Sequence, residues 1–222
     1  MTISIKAAEN IVDTMRNRWI SLGRAPESLF LYDNHIKGCA IVAQTIALKL
    51  GNIDPEQIYV SAFLHDNAKI DESPESMVGR FHGVLGYEKF QDIDQYVARA
   101  CLLHELPWNN VKLYEKRFLG NRDDYNFALQ YVKENPLKNE DLIIQLADAM
   151  ANKNGIVTIE QRQQEYEERF NRKLPDEMIT PYIEIKQYFD EKINGNVYDL
   201  FPNLKSQKFN STQISSLNIR NR

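Results

Sequence analysis

The spacing of apolar residues follows the period of an α-helix along most of this chain, and this spacing constrains the fold more than any other feature. Alternation of apolar and polar residues, the pattern of a half-buried strand, is scarce. The 222 residues include only nine glycines and eight prolines, so few positions interrupt a helix. The sequence therefore predicts an all-α fold.

Capping residues, glycines and prolines predict where the helices begin and end. Between the predicted helices, residues 71–76 are polar and rich in turn formers, which favours a mobile loop. Residues 108–134 are expected to be helical but irregular and rich in aromatic side chains. The other helices are predicted over residues 4–22, from Asp33 to Leu50, from Asp54 to about Asp66, from about His82 to Phe90, from Asp92 to before Pro107, over 139–151, from Thr158 to before Pro175, and from Thr180-Pro181 to Ile193.

Charge and composition exclude several classes of protein. The net charge of −4 and the pI near 5.7 give no electrostatic reason to expect nucleic-acid binding. No stretch approaches the roughly 18 apolar residues of a membrane span, and the start of the chain lacks the pattern of a signal peptide. Cys39 and Cys101 lie far apart in helical patterns, so we expect buried free thiols and a reducing cytoplasm.

Histidine and aspartate residues border the apolar stripes of several predicted helices. His65 and Asp66 are adjacent and follow an apolar run, while Asp148 lies between apolar neighbours and would be costly to bury without a partner or a metal. Imidazole and carboxylate groups are the ligands of Fe, Mn, Zn, Co and Ni ions. The candidate ligands, which include all four histidines, are His35, His65, Asp66, His82, His104 and Asp148.

These residues carry a resemblance to a known family. The stretch from Ala62 to Lys69, Ala-Phe-Leu-His-Asp-Asn-Ala-Lys, is similar to the signature of the HD-domain superfamily of metal-dependent phosphohydrolases. His35 with the small residues after it, Leu102-Leu103-His104 and Leu146-Ala147-Asp148 also match that family. The resemblance implies an HD-domain helical bundle with additional C-terminal helices, as one domain over residues 1–202 with its metal core at about 35–148. Residues 203–222 are expected to form a polar tail.

The resemblance also implies how the residues would act. His35, His65, Asp66 and Asp148 would hold one divalent transition metal ion, and His82 and His104 would complete a second site with Asp66 bridging. Asp66 and Lys69 would serve in catalysis, with a metal-activated hydroxide as the nucleophile. Lys69 would also contact a phosphate, and Arg80 would add a second cationic contact. The implied substrate is a small phosphorylated metabolite, most of all a nucleotide or dinucleotide.

Structural roles remain open for individual residues. His82 could be a helix-cap histidine, His104 a hydrogen-bonded core histidine, Lys69 a helix-end cation and Arg80 a solvated surface residue. The aromatic residues of 108–131 are more often core than a stacking platform. Glu105, next to His104, could support the site from outside its ligand shell or face solvent.

Two other functions fit the same residues. Some HD-domain enzymes are di-iron oxygenases with the same ligand types, and an HD scaffold can also serve as a non-catalytic module that binds a ligand or a protein. No candidate ligand is missing, which disfavours the scaffold. The sequence leaves the identity and number of the metal ions open, and it also leaves a homodimer open.

Overall fold

α-Helices form nearly all the regular structure of the protein. The computed structural model describes residues 2–23, 26–69, 79–118, 120–202 and 204, without the side chains of residues 26–31. Within these ranges there are nine helices, α1 (Ile5–Ser21), α2 (Pro26–Leu50), α3 (Pro55–Leu64), α4 (His82–Phe90), α5 (Gln95–Leu103), α6 (Arg122–Glu134), α7 (Asn139–Ala149), α8 (Ile159–Phe170) and α9 (Asp176–Ile193), with 3-10 helices at Pro107–Asn109, Glu115–Phe118 and Val197–Leu200. The predicted all-α fold is confirmed.

A short antiparallel hairpin follows α7 and was not expected from the sequence. Its strands are β1 (Ala151–Asn152) and β2 (Gly155–Ile156), with Ala151 opposite Ile156. Strands of two residues carry no detectable period, which is why the predicted helix at 139–151 ran into the hairpin. The predicted loop at 71–76 lies outside the described residues, and so does the predicted tail at 203–222 apart from Leu204.

Three predicted helix starts are wrong. Helix α2 begins at Pro26 instead of Asp33, and proline is well suited to a first helical position. The N-cap of α5 is Asp94 instead of Asp92, with its carboxylate accepting from two backbone amides of the first turn. Helix α9 begins at Asp176 and contains Pro181. Pro181 has no backbone N–H to donate to the carbonyl of Glu177, one turn earlier. Because Glu177 is exposed, water can satisfy that carbonyl.

Helix α2 packs against α3 and α7 through small side chains. Cys39, Ala40, Ala43 and Ala47 are all buried on its inner face, and such residues let neighbouring helices approach closely. The main hydrophobic core is built around this face and includes residues of α1, α3, α5, α7 and α9. Three of the elements that carry candidate ligands, α2, α3 and α7, therefore meet directly.

A second apolar cluster lies under α4 and α5. Phe118 and Tyr125 are among its buried members, which confirms the core role expected of them, whereas Phe127 is 37% exposed. The predicted helix over 108–134 is α-helical only from Arg122. Before it, the described residues form 3-10 turns at Pro107–Asn109 and Glu115–Phe118. None of the helices in the described part of the chain is long and apolar enough to span a bilayer.

Candidate metal centre

The fold brings all six predicted ligands together from five helices and the residues that directly follow them. His35 lies in α2 and Asp148 near the end of α7. His65 is the C-cap of α3, and Asp66 follows it directly. His82 opens α4, and the C-cap of α5 is His104. The ligand set is His35, His65, Asp66, His82, His104 and Asp148, of which all but the last are buried residues.

One group of atoms surrounds the Oδ2 oxygen of Asp66. The Nε2 atoms of His35 and His65 lie 3.7 and 3.8 Å from this oxygen. Asp148 Oδ1 closes the group, at 3.2 Å from His35 Nε2 and 3.7 Å from His65 Nε2. Two imidazoles and two carboxylates thus face one point.

A second group surrounds the other oxygen of the same carboxylate. Asp66 Oδ1 lies 3.2 Å from His82 Nε2 and 3.3 Å from His104 Nε2. The two Nε2 atoms are 3.1 Å apart. The two oxygens of Asp66 therefore face different sets of histidines, which is the arrangement of a bridging carboxylate.

Both groups fit a bound ion. Donor atoms at about 2.1 Å from one metal lie roughly 3.0 to 3.5 Å from each other, and the distances above are close to this range. Among the described residues, no group forms a hydrogen bond with the buried atoms His65 Nε2 and Asp66 Oδ1, although buried polar atoms are nearly always satisfied. A metal at each position would satisfy both atoms, so the residues present fit one or two divalent ions.

Backbone carbonyls set the orientation of three of the imidazoles. The Nδ1 atoms of His35, His65 and His104 lie 3.1, 2.6 and 2.7 Å from the carbonyl oxygens of Ala151, Ala62 and Cys101. A carbonyl only accepts, so each Nδ1 carries the proton and donates it. Each Nε2 is then left with its lone pair directed at the cluster, as a metal ligand requires.

The hairpin after α7 supplies one of these carbonyls. A side chain at Gly38 would place its Cβ 3.0 Å from the Cβ of Ala151, so glycine lets the hairpin pass close to α2, one turn from His35. Neither the hairpin nor its hydrogen bond to His35 was predictable from helical spacing. Two sequence signals could have indicated this feature: Gly38 in α2 and the pair Asn154-Gly155, which is typical of a hairpin turn.

The carboxylates of the cluster are held in the ionised form. Burial opposes the ionisation of Asp66, but Lys69 and the surrounding imidazoles outweigh burial and keep the pKa of Asp66 well below its ordinary value. Burial likewise opposes the ionisation of Asp148, and His35 and His65 outweigh it and keep the pKa of Asp148 well below its ordinary value. Lys69 Nζ lies 3.0 Å from Asp66 Oδ2.

Cys39 lies near the first group of atoms but is not oriented as a ligand. Its sulfur is 3.8 Å from Nδ1 and 3.7 Å from Nε2 of His35. These nearly equal distances place the sulfur beside the ring and off the lone-pair axis of either nitrogen. Burial raises the pKa of the Cys39 thiol well above its ordinary value, so the sulfur packs as a neutral group.

Arg80 does not join the other predicted site residues. Its guanidinium donates to both carboxylate oxygens of Glu88 and to Oδ1 of Asp124, at distances of 2.7 to 3.1 Å. Arg80 is also absent from the described residues that line the cavity beside the metal centre. Its proposed contact with a phosphate therefore finds no support in its position.

Glu105 lies at the edge of the second group. One carboxylate oxygen is within 4.8 Å of the ligand nitrogens of His82 and His104, and the Glu105 side chain is 12% exposed. Burial alone would raise the pKa of Glu105, but Arg117, His82, Lys69 and His104 outweigh burial and lower it to about 2. The carboxylate is therefore a negative charge beside two imidazoles.

A cavity of about 540 Å³ opens beside the metal centre. His82 and Asp148 lie in its wall, and five cationic side chains line it: Lys69, Lys116, Arg117, Arg162 and Arg169. Apart from Lys69, this set was not predictable from the sequence, because tertiary packing brings residues such as Arg162 and Arg169 of α8 to the cavity. The volume is that of a site for a small molecule.

Gln145 links helix α7, which carries Asp148, to the residues around His104. Its side-chain amide nitrogen lies 3.0 Å from the carbonyl oxygens of Leu103 and Leu106. Its oxygen accepts a bond of 3.1 Å from the backbone N–H of Trp108. Gln145 is fully buried, so this network fixes the two segments relative to each other.

Comparison with known families agrees with this geometry. The family model described as HD domain matches residues 32–153, a range that includes all six candidate ligands and more than half of the chain. No curated protein and no solved structure matches the chain. HD domains bind divalent metals and are typical of metal-dependent hydrolases. The protein therefore belongs to the HD-domain superfamily.

Proposed function

We propose that the protein is a metal-dependent phosphohydrolase that cleaves a phosphate ester or anhydride of a small metabolite, most of all a nucleotide or dinucleotide. The observation that carries this proposal is the position of Asp66, whose two oxygens face two separate groups of imidazole nitrogens. This arrangement suits two ions that share one carboxylate. Hydrolysis of a phosphate is one of the main reactions for which enzymes use such paired ions.

The ligand residues would hold the ions and set their separation through Asp66. Divalent ions at these positions would acidify bound water and neutralise charge on the phosphoryl oxygens. Lys69 is close enough to Asp66 to hold its carboxylate and lies in the cavity wall, so its ammonium can also meet a phosphate. The carbonyls that bind Nδ1 of three histidines keep their Nε2 atoms available.

The charge of the cavity supports an anionic substrate. The five cationic side chains of its wall face two acidic ones, Glu105 and Asp148. Lys116 and Arg169 form no ion pair within the described part of the chain. Arg117 and Arg162 are more deeply placed, and each also meets one glutamate, at 3.6 and 3.0 Å. We assign the phosphate contact expected of Arg80 to Arg117 and Arg162.

The lining of the cavity also suits the apolar body of a metabolite. It includes aromatic and aliphatic side chains, among them Tyr114, Tyr166, Phe170, Ile179 and Tyr182. A nucleoside presents a planar ring that stacks on such side chains, while its phosphates would face the cations. This combination favours a nucleotide over a small phosphate ester without a ring.

A hydrolysis screen tests the proposal. Protein loaded with Mn, Fe, Co, Ni or Zn is assayed for phosphate release against nucleoside mono-, di- and triphosphates, dinucleoside polyphosphates and sugar phosphates. We expect activity that is lost in His65→Ala and Asp66→Asn and kept in Glu88→Gln, an exposed carboxylate outside the cavity. No hydrolysis with any of the metals would contradict the proposal, and a strict need for O₂ would favour the oxygenase.

Variants of α8 test the role of the cavity. We expect Arg162→Gln and Tyr166→Ala to raise KM at least tenfold for the best nucleotide, since each removes a substrate contact without touching a ligand. Arg172→Gln is the matched control, because Arg172 is exposed and follows α8 outside the cavity. An unchanged KM in both cavity variants would place substrate binding elsewhere.

A further inference from the structure

Glu105 is a nearly buried carboxylate with few direct partners. Within the described part of the chain its ion pair is with Arg117, at 3.6 Å between Nη1 and Oε1, and no hydrogen bond reaches its carboxylate. Nearby positive charges keep Glu105 ionised, but a buried charged group is normally also hydrogen-bonded or bound to a metal ion.

The surroundings of Glu105 point to the missing partner. One of its oxygens lies within 4.8 Å of the ligand nitrogens of His82 and His104. The same two nitrogens are 3.2 and 3.3 Å from Asp66 Oδ1. A cation placed among these three atoms would also lie beside Glu105 and would compensate its charge.

We propose that Glu105 is a direct carboxylate ligand of the ion held by His82 and His104, an inference that rests on the metal ions of the proposed function. The donors of the second position are then Asp66 Oδ1, two imidazoles and Glu105. This set matches the first position, which has two imidazoles, Asp66 Oδ2 and Asp148. Each ion has two nitrogen and two carboxylate donors, which suits divalent Mn, Fe or Co.

Arg117 gains a defined role from this assignment. Its guanidinium holds the outer side of the Glu105 carboxylate while it lines the substrate cavity. It thereby positions a ligand of the second ion and meets the charge of a substrate. Arg117 is a positioning residue for Glu105, and the ligand itself is the residue to test first.

Metal content provides a test that does not depend on activity. Full-length wild type, Glu105→Gln, Glu105→Ala and the control Glu88→Gln are loaded with Co²⁺, freed of excess ion by gel filtration and measured by elemental analysis. Circular dichroism checks that each variant is folded. We expect two ions per chain in wild type and Glu88→Gln, and one ion per chain in both Glu105 variants.

The visible spectrum of bound Co²⁺ separates a ligand from a neighbour. In a titration, the band of the second equivalent reports the ligands of that ion, so a shift or loss of this band in Glu105→Gln would support direct binding. Two retained ions with an unchanged spectrum would overturn the proposal, and so would one ion or none in wild type. These readouts are independent of the hydrolysis screen, so failure of either proposal leaves the other testable.

Discussion

Replacing Gln145 by leucine tests whether the network between α5 and α7 stabilises the metal centre. The amide nitrogen of Gln145 contacts the carbonyl oxygens of Leu103 and Leu106 and the side-chain oxygen of Asn109, each at 3.0 Å. Its oxygen accepts from the backbone of Trp108. Leucine has a similar volume, so the change removes the polar contacts without opening a large cavity.

The expected loss of stability depends on which hydrogen bonds the partners of Gln145 keep after the substitution. Leu103 O and Leu106 O also accept backbone bonds from Leu106 and Asn109, so neither carbonyl loses its last partner. The NH2 group of Gln145 has two protons, so its three contacts count as two hydrogen bonds. Losing these two costs about 1 kcal/mol each, and the unpaired N–H of Trp108 adds about 1 to 3 kcal/mol. We expect Gln145→Leu to lower the free energy of unfolding by about 4 kcal/mol.

A strained turn in the same segment adds a second expectation. Trp108 and Asn109 both have a φ of 55°, a conformation that residues with a side chain adopt only where their surroundings enforce it. Without Gln145 the turn can relax, and His104 moves with it. Gln145→Leu should therefore also weaken binding of the second ion.

Urea unfolding of the metal-free protein, followed by circular dichroism, measures the stability change. The expected loss corresponds to a fall in Tm of roughly 10 °C for a chain of this size. Gln164→Leu is the matched control, because Gln164 is exposed on α8 and its side chain donates to Glu168 at the surface. This change should alter stability by less than about 0.5 kcal/mol. A loss below about 1 kcal/mol in Gln145→Leu would refute the proposed role of the network.

Three further predictions concern stability and metal removal. Arg99→Met should destabilise the protein by about 3 to 5 kcal/mol in urea, because it leaves the buried Asp141 without its paired guanidinium; a change below 1 kcal/mol would contradict this. Gly86→Ala should lower stability by about 1 to 3 kcal/mol and reduce metal content, since its Cβ would lie 2.7 Å from the Cβ of Cys101 and push α4 away from α5. Gly195→Ala, whose Cβ has 3.9 Å to its nearest neighbour, is the control and should show neither effect. Removing metal with a chelator should lower Tm reversibly, because an ion present at a thousand times its Kd adds about 4 kcal/mol to the free energy of unfolding. An unchanged Tm would argue against a bound ion.

The local features of this chain follow from residues that lie within a few positions of each other. Asp54 and Pro55 start α3 as predicted, and Thr158 starts α8 as predicted, where it forms a capping box with Gln161. Such signals are local hydrogen bonds, so the sequence shows them directly. Where two candidates compete, as Asp92 and Asp94 do, tertiary contacts decide; Asp94 also accepts a bond from the distant Ile3 backbone.

The six candidate ligands were predictable from the sequence, and their arrangement was not. Side-chain chemistry and the family resemblance together singled out these six residues, and they did not single out the proposed ligand Glu105. Arg80 shows the limit of this reasoning. Its partners Glu88 and Asp124 lie 8 and 44 positions further along the chain. No local pattern tells a cation that is paired from one that faces a substrate.

The sequence by itself determined the helical fold and the donor types, because helical spacing and ligand chemistry are properties of the residues. Only the tertiary structure decided that the two oxygens of Asp66 face different histidines, that Glu105 lies beside the second group, and that α8 lines the cavity. These relations join residues up to about a hundred positions apart. They depend on how helices pack and on the angles of individual side chains, which apolar periodicity does not encode.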